Sequence, residues 1–340
     1  MQKPTLRDVA QAAGVHTATA SRALNPKTRS MVNANTARRV SRAAKSLGYT
    51  PNPIARSLKT ARSLTIGVVL PDLTNPLFPP IVRGIEDTLT PAGYSGLIVN
   101  TDNDPQREKA QIDSLLSRQV DGLIIATARL DHPLLTELHA QGVKIVLVNR
   151  RTEHLDVSAV TPDDAAGIRT AVGHLARLGH RRILHVAGPA TTSTGITRVR
   201  AFRDTVRELE LDEDPALVAP CAFWSEEDGA RAVRAAWSSG TEFTAVVAGN
   251  DLLALGTYDA LRGRGLSCPD DVSVIGFNGM PFLDKLGPPL TTIAIPHHRI
   301  GAEAARMLLE AIDDPHRPSR SVLLPTSLVV RDSTRAPAGG

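Results

Sequence analysis

Ten histidines, two cysteines and 35 acidic residues are the groups in this 340-residue chain that catalysis would draw on. Their spacing argues against it. His174/His180 and His297/His298 lack zinc spacing with cysteine or carboxylate support. Cys221 and Cys268 stand far apart and read as ordinary reduced residues. The acid pairs Asp163-Asp164 and Glu226-Glu227 open amphipathic stretches, where carboxylates favour the positive end of a helix. Neither a phosphate-cradling Gly-x-x-x-x-Gly-Lys-Ser/Thr loop nor a Gly-x-Gly-x-x-Gly turn occurs, and no Gly-x-Ser-x-Gly elbow. No catalytic site, cofactor or metal is therefore expected. What remains is recognition chemistry: arginines, asparagines and a tryptophan at the ends of predicted elements.

The charge shows where one partner binds. Residues 1–62 hold twelve Lys and Arg against one acid, Asp8, a net charge of +11. The rest of the chain has 27 bases and 34 acids, a net charge of −7. A basic head on a mildly acidic body points to a polyanion bound by the head. A merely solvated basic tail would lack helical periodicity, and this head has it. Thr5 is a candidate N-cap with Asp8 three residues on, and Leu6, Val9, Ala10 and Ala13 share one face. Gly14 breaks that helix. His16 to Leu24 reads as a second helix with Ala20 and Leu24 inward. A third runs from Asn33 to Leu47 with Val40, Ala43, Ala44 and Leu47 as its core stripe, and Gly48 ends it. Helix, glycine turn and helix make a helix-turn-helix, whose second helix enters the major groove of DNA. Its exposed positions are Thr17, Ala18, Ser21 and Arg22. Arg22 can fork onto the O6 and N7 of a guanine; the alternative is a phosphate contact.

Asn52 and Pro53 start a further two-turn helix, too short to stand alone in water. Leu58 would be exposed on it, either as an unremarkable linker residue or as a wedge in the minor groove.

From residue 63 onward short apolar runs alternate with amphipathic stretches, the pattern of parallel, doubly wound sheets. Strands are expected at 64–70, 96–100, 122–126, 144–149, 183–187, 244–248 and 272–276. Helices are expected at 106–118, 163–178, 198–209 and 251–264. So many strands imply two lobes with a ligand between them. Ligands of such sheets sit beyond the carboxyl ends of strands. The residues there are Asp72, Asn75 and Phe78, then Asn149 and Arg150, then Arg198, Trp224, Asn250, Asp251 and Asn278. Amides, arginines and an aromatic suit a polyhydroxylated ligand, with Trp224 stacking on a sugar face and Arg198, Asn250 and Asn278 bonding hydroxyls. Three of these have structural alternatives: Asp251 as a helix cap, Asp72 as a brace between lobes, Arg150 in an interlobe ion pair.

The chain resembles the lactose/purine repressor family of bacterial transcriptional regulators. Thr5-Leu-Arg-Asp-Val-Ala10, Ala13-Gly-Val15, Thr19-Ala-Ser-Arg-Ala-Leu-Asn25, Leu47-Gly-Tyr-Thr-Pro-Asn52 and Ala55-Arg-Ser-Leu58 match its N-terminal pattern. Asp121-Gly-Leu-Ile124, Leu178-Gly-His-Arg-Arg-Ile183, Asn250-Asp251 and Val272-Ser-Val-Ile-Gly-Phe277 extend the match over nearly the whole chain. The resemblance implies an all-α head at 1–50, a hinge helix and linker at 51–62, and at 63–340 a two-lobed α/β body of the periplasmic-binding-protein type I fold. Its lobes would span about 63–161 with 291–324, and 162–290 with 325–340. It also implies a homodimer on a pseudo-palindromic operator. Positions 17, 18 and 22 would read bases, with Thr5, Ser21, Asn25, Asn52 and Ala55 as further DNA contacts and Leu58 intercalated at the centre. Effector contacts would be Asn149, Arg198, Trp224, Asn250 and Asn278, joined by Asn75 and Phe78 from the strand-end reading. The sequence departs from the family at His16 for Ser, Ala20 for Val, and Asn278 for Asp. An amide accepts once and donates once where a carboxylate accepts twice, so the effector is expected to differ from a common hexose.

The competing readings are a cytosolic solute-binding protein, an enzyme on a doubly wound fold, and a nucleoside- or purine-type effector. The N-terminus carries no apolar secretory segment, no run approaches the ~18 apolar residues of a membrane span, and the tail after Arg331 has no leucine heptads. A cytoplasmic, nucleoid-associated dimer without a membrane is the expectation.

Overall fold

The computed structural model describes residues 4–25, 28–49 and 62–338. It divides into two units, one up to Ser63 and one from Leu64. The hinge positions Asn52, Ala55 and Leu58 lie outside the described residues.

The first unit holds α1 (Leu6–Ala12), α2 (Thr17–Leu24) and α3 (Ala34–Leu47). Thr5 and Asp8 form a reciprocal capping box on α1: the Thr5 amide donates to the Asp8 carboxylate at 2.7 Å, and the Asp8 amide to the Thr5 hydroxyl at 3.4 Å. Gly14 takes φ +60°, a conformation that lets the chain turn sharply into α2. The core is Val9, Ala10, Ala13, Ala20, Ala23, Ala37, Val40, Ala43 and Ala44. Such small side chains let three short helices approach closely. Two expected core positions differ. Leu24 is only partly buried, and Ala23 takes its place inside. Leu47 is 39% exposed, because it ends α3 one residue before the left-handed Gly48 turns the chain away.

The second unit contains two six-stranded sheets. The first has order β11-β5-β4-β3-β1-β2, with β1 Thr65–Leu70, β2 Ser95–Asn100, β3 Gly122–Ile125, β4 Ile145–Val148, β5 Ser158–Pro162 and β11 Ser321–Leu324. The second has order β12-β10-β9-β8-β6-β7, with β6 Ile183–Ala187, β7 Val218–Pro220, β8 Ala245–Ala248, β9 Ser273–Asn278, β10 Thr291–Ala294 and β12 Ser327–Val329. All pairings are parallel except β12 against β10, so the second sheet is mixed rather than wholly parallel. The connecting helices are α4 (Phe78–Leu89), α5 (Pro105–Ser117), α6 (Pro133–Ala140), α7 (Asp164–Arg177), α8 (Ser193–Glu208), α9 (Glu226–Ser238), α10 (Asp251–Gly263) and α11 (His297–Asp313). The central strands β3, β4 and β8 are buried throughout, as sheets covered on both faces require.

The chain passes between lobes after β5, after β10 and between β11 and β12. The second passage corrects the expected boundary at Thr291. β10 pairs with β9 in register Thr291↔Ile275, so residues 291–294 belong to the second lobe. The chain returns to the first lobe through α11. There Gly84 of α4 and Gly301 of α11 allow a close helix crossing: a Cβ on Gly84 would lie 2.0 Å from the His298 carbonyl oxygen. Asp163 and Leu324 tie two passages together, the Asp163 amide donating to the Leu324 carbonyl at 2.8 Å.

Candidate functional site

The head presents α2 to solvent. Thr17, Ala18 and Arg22 are exposed, while Ser21 and Asn25 are partly buried. His16 caps α2 through its ring, Nδ1 accepting from the Ala18 amide at 3.3 Å. An imidazole therefore takes the role Ser would fill, and it holds its Nε2 at the start of the reading helix. Thr5 is exposed, but its hydroxyl donates to Asp8 at 2.8 Å, so the capping box occupies its proton. Arg39 ties α3 to the end of α1, its Nε donating to the Ala13 carbonyl at 2.8 Å, and this leaves its charge and four other N–H groups at the surface.

In the body a cavity of about 220 Å³ opens between the lobes, and a second space of about 550 Å³ adjoins it through Asp72, Asn75, Trp224 and Ser225. The seven side chains expected at the ligand all line the first cavity: Asn75, Phe78 and Asn149 from the first lobe, and Arg198, Trp224, Asn250 and Asn278 from the second. Each comes from the carboxyl end of a strand or the first turns of the following helix. Arg198 is the exception in position. It sits on the second turn of α8, because that helix begins at Ser193 with the Thr192 hydroxyl accepting from the Gly195 amide at 3.2 Å. The run Thr191-Thr192-Ser193-Thr194-Gly195 reads as loop by propensity, which hid the true helix start.

The asparagines divide into two kinds. Asn75 and Asn250 spend their carbonyl oxygens on the backbone, accepting from Leu77 N at 3.0 Å and Leu253 N at 2.8 Å, so their amide hydrogens remain for a ligand. Asn149 and Asn278 take φ +64° and +119°, conformations that are strained for a side-chain-bearing residue. Their Oδ1 atoms are buried without a hydrogen-bond partner among the described residues. Strained backbone and orphaned acceptors at the same two positions are what a site waiting for hydroxyl donors looks like.

Arg198 is fixed from three sides. Nε and Nη2 donate to Asp164 Oδ1 at 2.8 and 2.6 Å, Nη1 donates to the Gly249 carbonyl, and the guanidinium lies 3.7 Å over the Phe277 ring centroid. Two of its five N–H groups are left for a ligand. Burial pushes the Asp164 carboxyl up, and the Arg198 charge works against that shift. Trp224 lies against the backbone at Gly188 and Gly249; a Cβ on Gly188 would sit 1.9 Å from its Cη2. The indole Nε1 is buried and unpartnered.

Among the three residues with structural alternatives, Asp251 is not a ligand group. It is fully buried, accepts from Thr292 Oγ1 at 2.6 Å and Met280 N at 2.9 Å, and burial pushes its carboxyl up to about 7. The helix cap is its neighbour Asn250. Asp72 lines the cavity with Oδ1 accepting from the Thr74 amide and hydroxyl, not from the opposite lobe. Arg150 forms no ion pair with any described residue, which removes the interlobe pairing. The lobes are joined on this rim by backbone donors instead: Leu130 N donates to the Thr191 carbonyl at 3.0 Å and Arg151 N to the Ser193 hydroxyl at 3.0 Å.

Sequence reasoning missed one polar cluster in the wall. Glu108 of α5 accepts from Arg129 Nη1 at 3.2 Å, lies 3.2 Å from His132 Nε2 and accepts from the Thr127 hydroxyl. Burial pushes its carboxyl up, but the His132 and Thr127 hydrogen bonds and the His132 and Arg129 charges outweigh this and hold it below its ordinary value. Glu108 falls in the first turn of α5 among polar residues, where an acid reads as an exposed partner of the helix dipole, so no pattern marks it as buried.

Residues 5–52 match the family model described as bacterial regulatory proteins, lacI family. Residues 63–332 match that of periplasmic binding proteins and the sugar binding domain of the LacI family. The chain belongs to the LacI family. It is 36% identical over 333 residues to the HTH-type transcriptional repressor CytR of Escherichia coli (strain K12), covering 98% of this chain and 96% of that protein. A lac repressor dimer bound to operator and the anti-inducer ONPF superposes with TM-score 0.86 at 28% identity, over 98% of this chain and 100% of that one. A LacI family regulator from Enterococcus faecium with bound ribose superposes with TM-score 0.70 at 31% identity, over 80% of this chain and 99% of that one. The family consists of DNA-binding transcriptional regulators. The head of this LacI-family chain is its helix-turn-helix DNA-binding unit, and its body has the periplasmic-binding-protein type I architecture.

Proposed function

We propose that this LacI-family chain is a repressor that binds a pseudo-palindromic operator as a homodimer and changes its grip when a small polyhydroxylated effector enters the cavity between the lobes. The observation that carries the effector reading is the convergence of seven side chains from both lobes on one cavity, two of them strained asparagines with unpartnered acceptors. Sugar-class ligands fit it better than nucleosides. The amides and arginines of the wall can bond several hydroxyls while the Trp224 face takes a ring. The ribose bound to the Enterococcus faecium regulator supports the same class.

Thr17, Ala18 and Arg22 read bases, Ser21 and Asn25 flank them, and Thr5 contributes through the α1 terminus. Asn52, Ala55 and Leu58 stay assigned to the operator centre on the resemblance alone. Leu97 and Ile98, 37% and 40% exposed on the edge strand β2, fit a second copy of the chain. The chain acts by binding and not by catalysis, and its place is on DNA in the cytoplasm. The test is anisotropy of full-length protein on labelled operator while a sugar panel is titrated. The expected result is that one sugar class shifts DNA affinity, and that Trp224→Ala removes the shift while ligand-free DNA binding stays unchanged. A shift that survives Trp224→Ala would place the effector elsewhere.

A further inference from the structure

The cavity wall carries three arginines, and their partners are unequal. Arg129 is paired with Glu108 at 3.2 Å, and Arg198 with Asp164 at 2.6 Å. Arg150 has no carboxylate within ion-pair distance among the described residues, although it is only 7% exposed. Its Nε is buried without a hydrogen-bond partner. The acids near it are committed. Glu108 is held by Thr127, Arg129 and His132, and Asp164 by both donors of Arg198. Asp72, partly exposed, accepts from Thr74 at 2.8 and 2.7 Å. A buried cation without a counter-charge is destabilising unless something supplies one. Burial lowers Arg150 to about 10, the charges of Arg198 and Arg129 push the same way, and the charge of Glu108, already paired with Arg129, opposes them only in part.

The free groups around the cavity are mostly donors. They are the N–H groups of Arg150, two N–H groups of Arg198, the Trp224 Nε1–H, and the amide hydrogens of Asn75 and Asn250. Among the described residues the buried unpartnered acceptors are Asn149 Oδ1 and Asn278 Oδ1, and the partly exposed Asp72 carboxylate also lines the cavity. The hydroxyls of a neutral polyol can accept from these donors, but they bring no counter-charge to Arg150. We propose, resting on the reading of this cavity as the effector site, that the effector is a polyol bearing one oxyanion, a carboxylate or a phosphate ester, and that Arg150 receives that group. The planar guanidinium fork matches two oxygens of such a group. The hydroxyls then go to Asn149 and Asn278, with the ring face on Trp224.

The experiment is isothermal titration of full-length protein with three matched arms: the neutral sugars ribose and glucose, the sugar acids ribonate and glucuronate, and the sugar phosphates ribose 5-phosphate and glucose 6-phosphate. The expected result is that one anionic arm binds at least about tenfold tighter than its neutral parent, as a charge-assisted contact implies. Arg150→Gln should erase that preference, so that within the variant the anionic ligand binds no tighter than its neutral parent. Removing the uncompensated charge should also raise the melting temperature of the ligand-free protein. Arg150→Lys keeps the charge without the fork and should retain part of the preference, which serves should the glutamine variant not fold. Neutral sugars binding as tightly as both anionic arms, or a preference that survives Arg150→Gln, would overturn the oxyanion inference. If those neutral sugars lose affinity in Trp224→Ala, the effector reading stands without it. Failure of every member of all three arms to bind the wild-type protein would overturn both.

Discussion

Arg22 stands exposed on α2 two turns from the His16 cap, so the base reading proposed for this head rests on one long cation beside two short side chains, Thr17 and Ala18. Truncating Arg22 to Ala should weaken specific binding by roughly 1–3 kcal/mol and relax preference at one base pair per half-site, because a forked guanine contact is lost. Equal weakening on specific and random duplexes would instead make Arg22 a phosphate contact. A second prediction concerns Asp251, whose carboxyl burial raises from 3.8 to about 7. Between those values the folded chain holds a proton that the unfolded chain has released, so Asp251 makes the fold more stable as pH falls, with a slope of up to about 1.4 kcal/mol per pH unit. His185 works the other way. Burial holds it at about 4 against 6.5, so the unfolded imidazole takes the proton first and stability is lost as pH falls through that window. Asp251→Asn can keep the bonds to Met280 and Thr292 while removing the favourable slope. Its urea midpoint should therefore drop more steeply than that of the parent protein on acidification from neutral pH to about 5. Parallel slopes would contradict the assignment.

At the scale of elements, the cavity depends on backbone that leaves room for side chains. Gly188, directly after β6, gives the Trp224 indole its seat, and a methyl there would occupy ring space. Gly188→Ala should displace the indole and reduce ligand affinity by about 1 kcal/mol, roughly fivefold, while the fold persists. Titration calorimetry with a melting curve reads both, and unchanged affinity would show that Trp224 does not stack on the ligand. The long apolar strands and amphipathic helices were legible in the sequence, since burial on both faces leaves runs such as Gly122–Ile125 and Ala245–Ala248. The strands β5, β7, β10, β11 and β12 were not, because three to five residues with Pro, Ser or Thr carry too little periodicity. The wrong boundary at Thr291 follows from that gap: with β10 unrecognised, nothing in the sequence placed residues 291–294 beside β9. Cavity-lining residues could be read from strand ends. The unpaired state of Arg150 and the buried cluster at Glu108 could not, because whether a charge has a partner is decided by residues distant in sequence.

The whole molecule divides its charge as it divides its work. A head region of net charge +11 sits on a body of net charge −7, so binding to any duplex should weaken steeply with added salt as counterions are retained. Exposed Lys45 on α3 is placed to share in this; Lys45→Ala should weaken all sequences alike and flatten the salt slope if it touches phosphate. A salt slope unchanged in that variant would remove Lys45 from the interface. Specific binding needs the symmetry of the assembly as well as charge, since a dimer of reading helices meets two half-sites on one duplex. Sequencing the duplexes that full-length protein selects from a random pool tests this account most directly. The account predicts an enriched inverted repeat, with Arg22→Ala losing preference at one base pair in each half. Selection of no shared motif, or of a single half-site without its inverted copy, would contradict it.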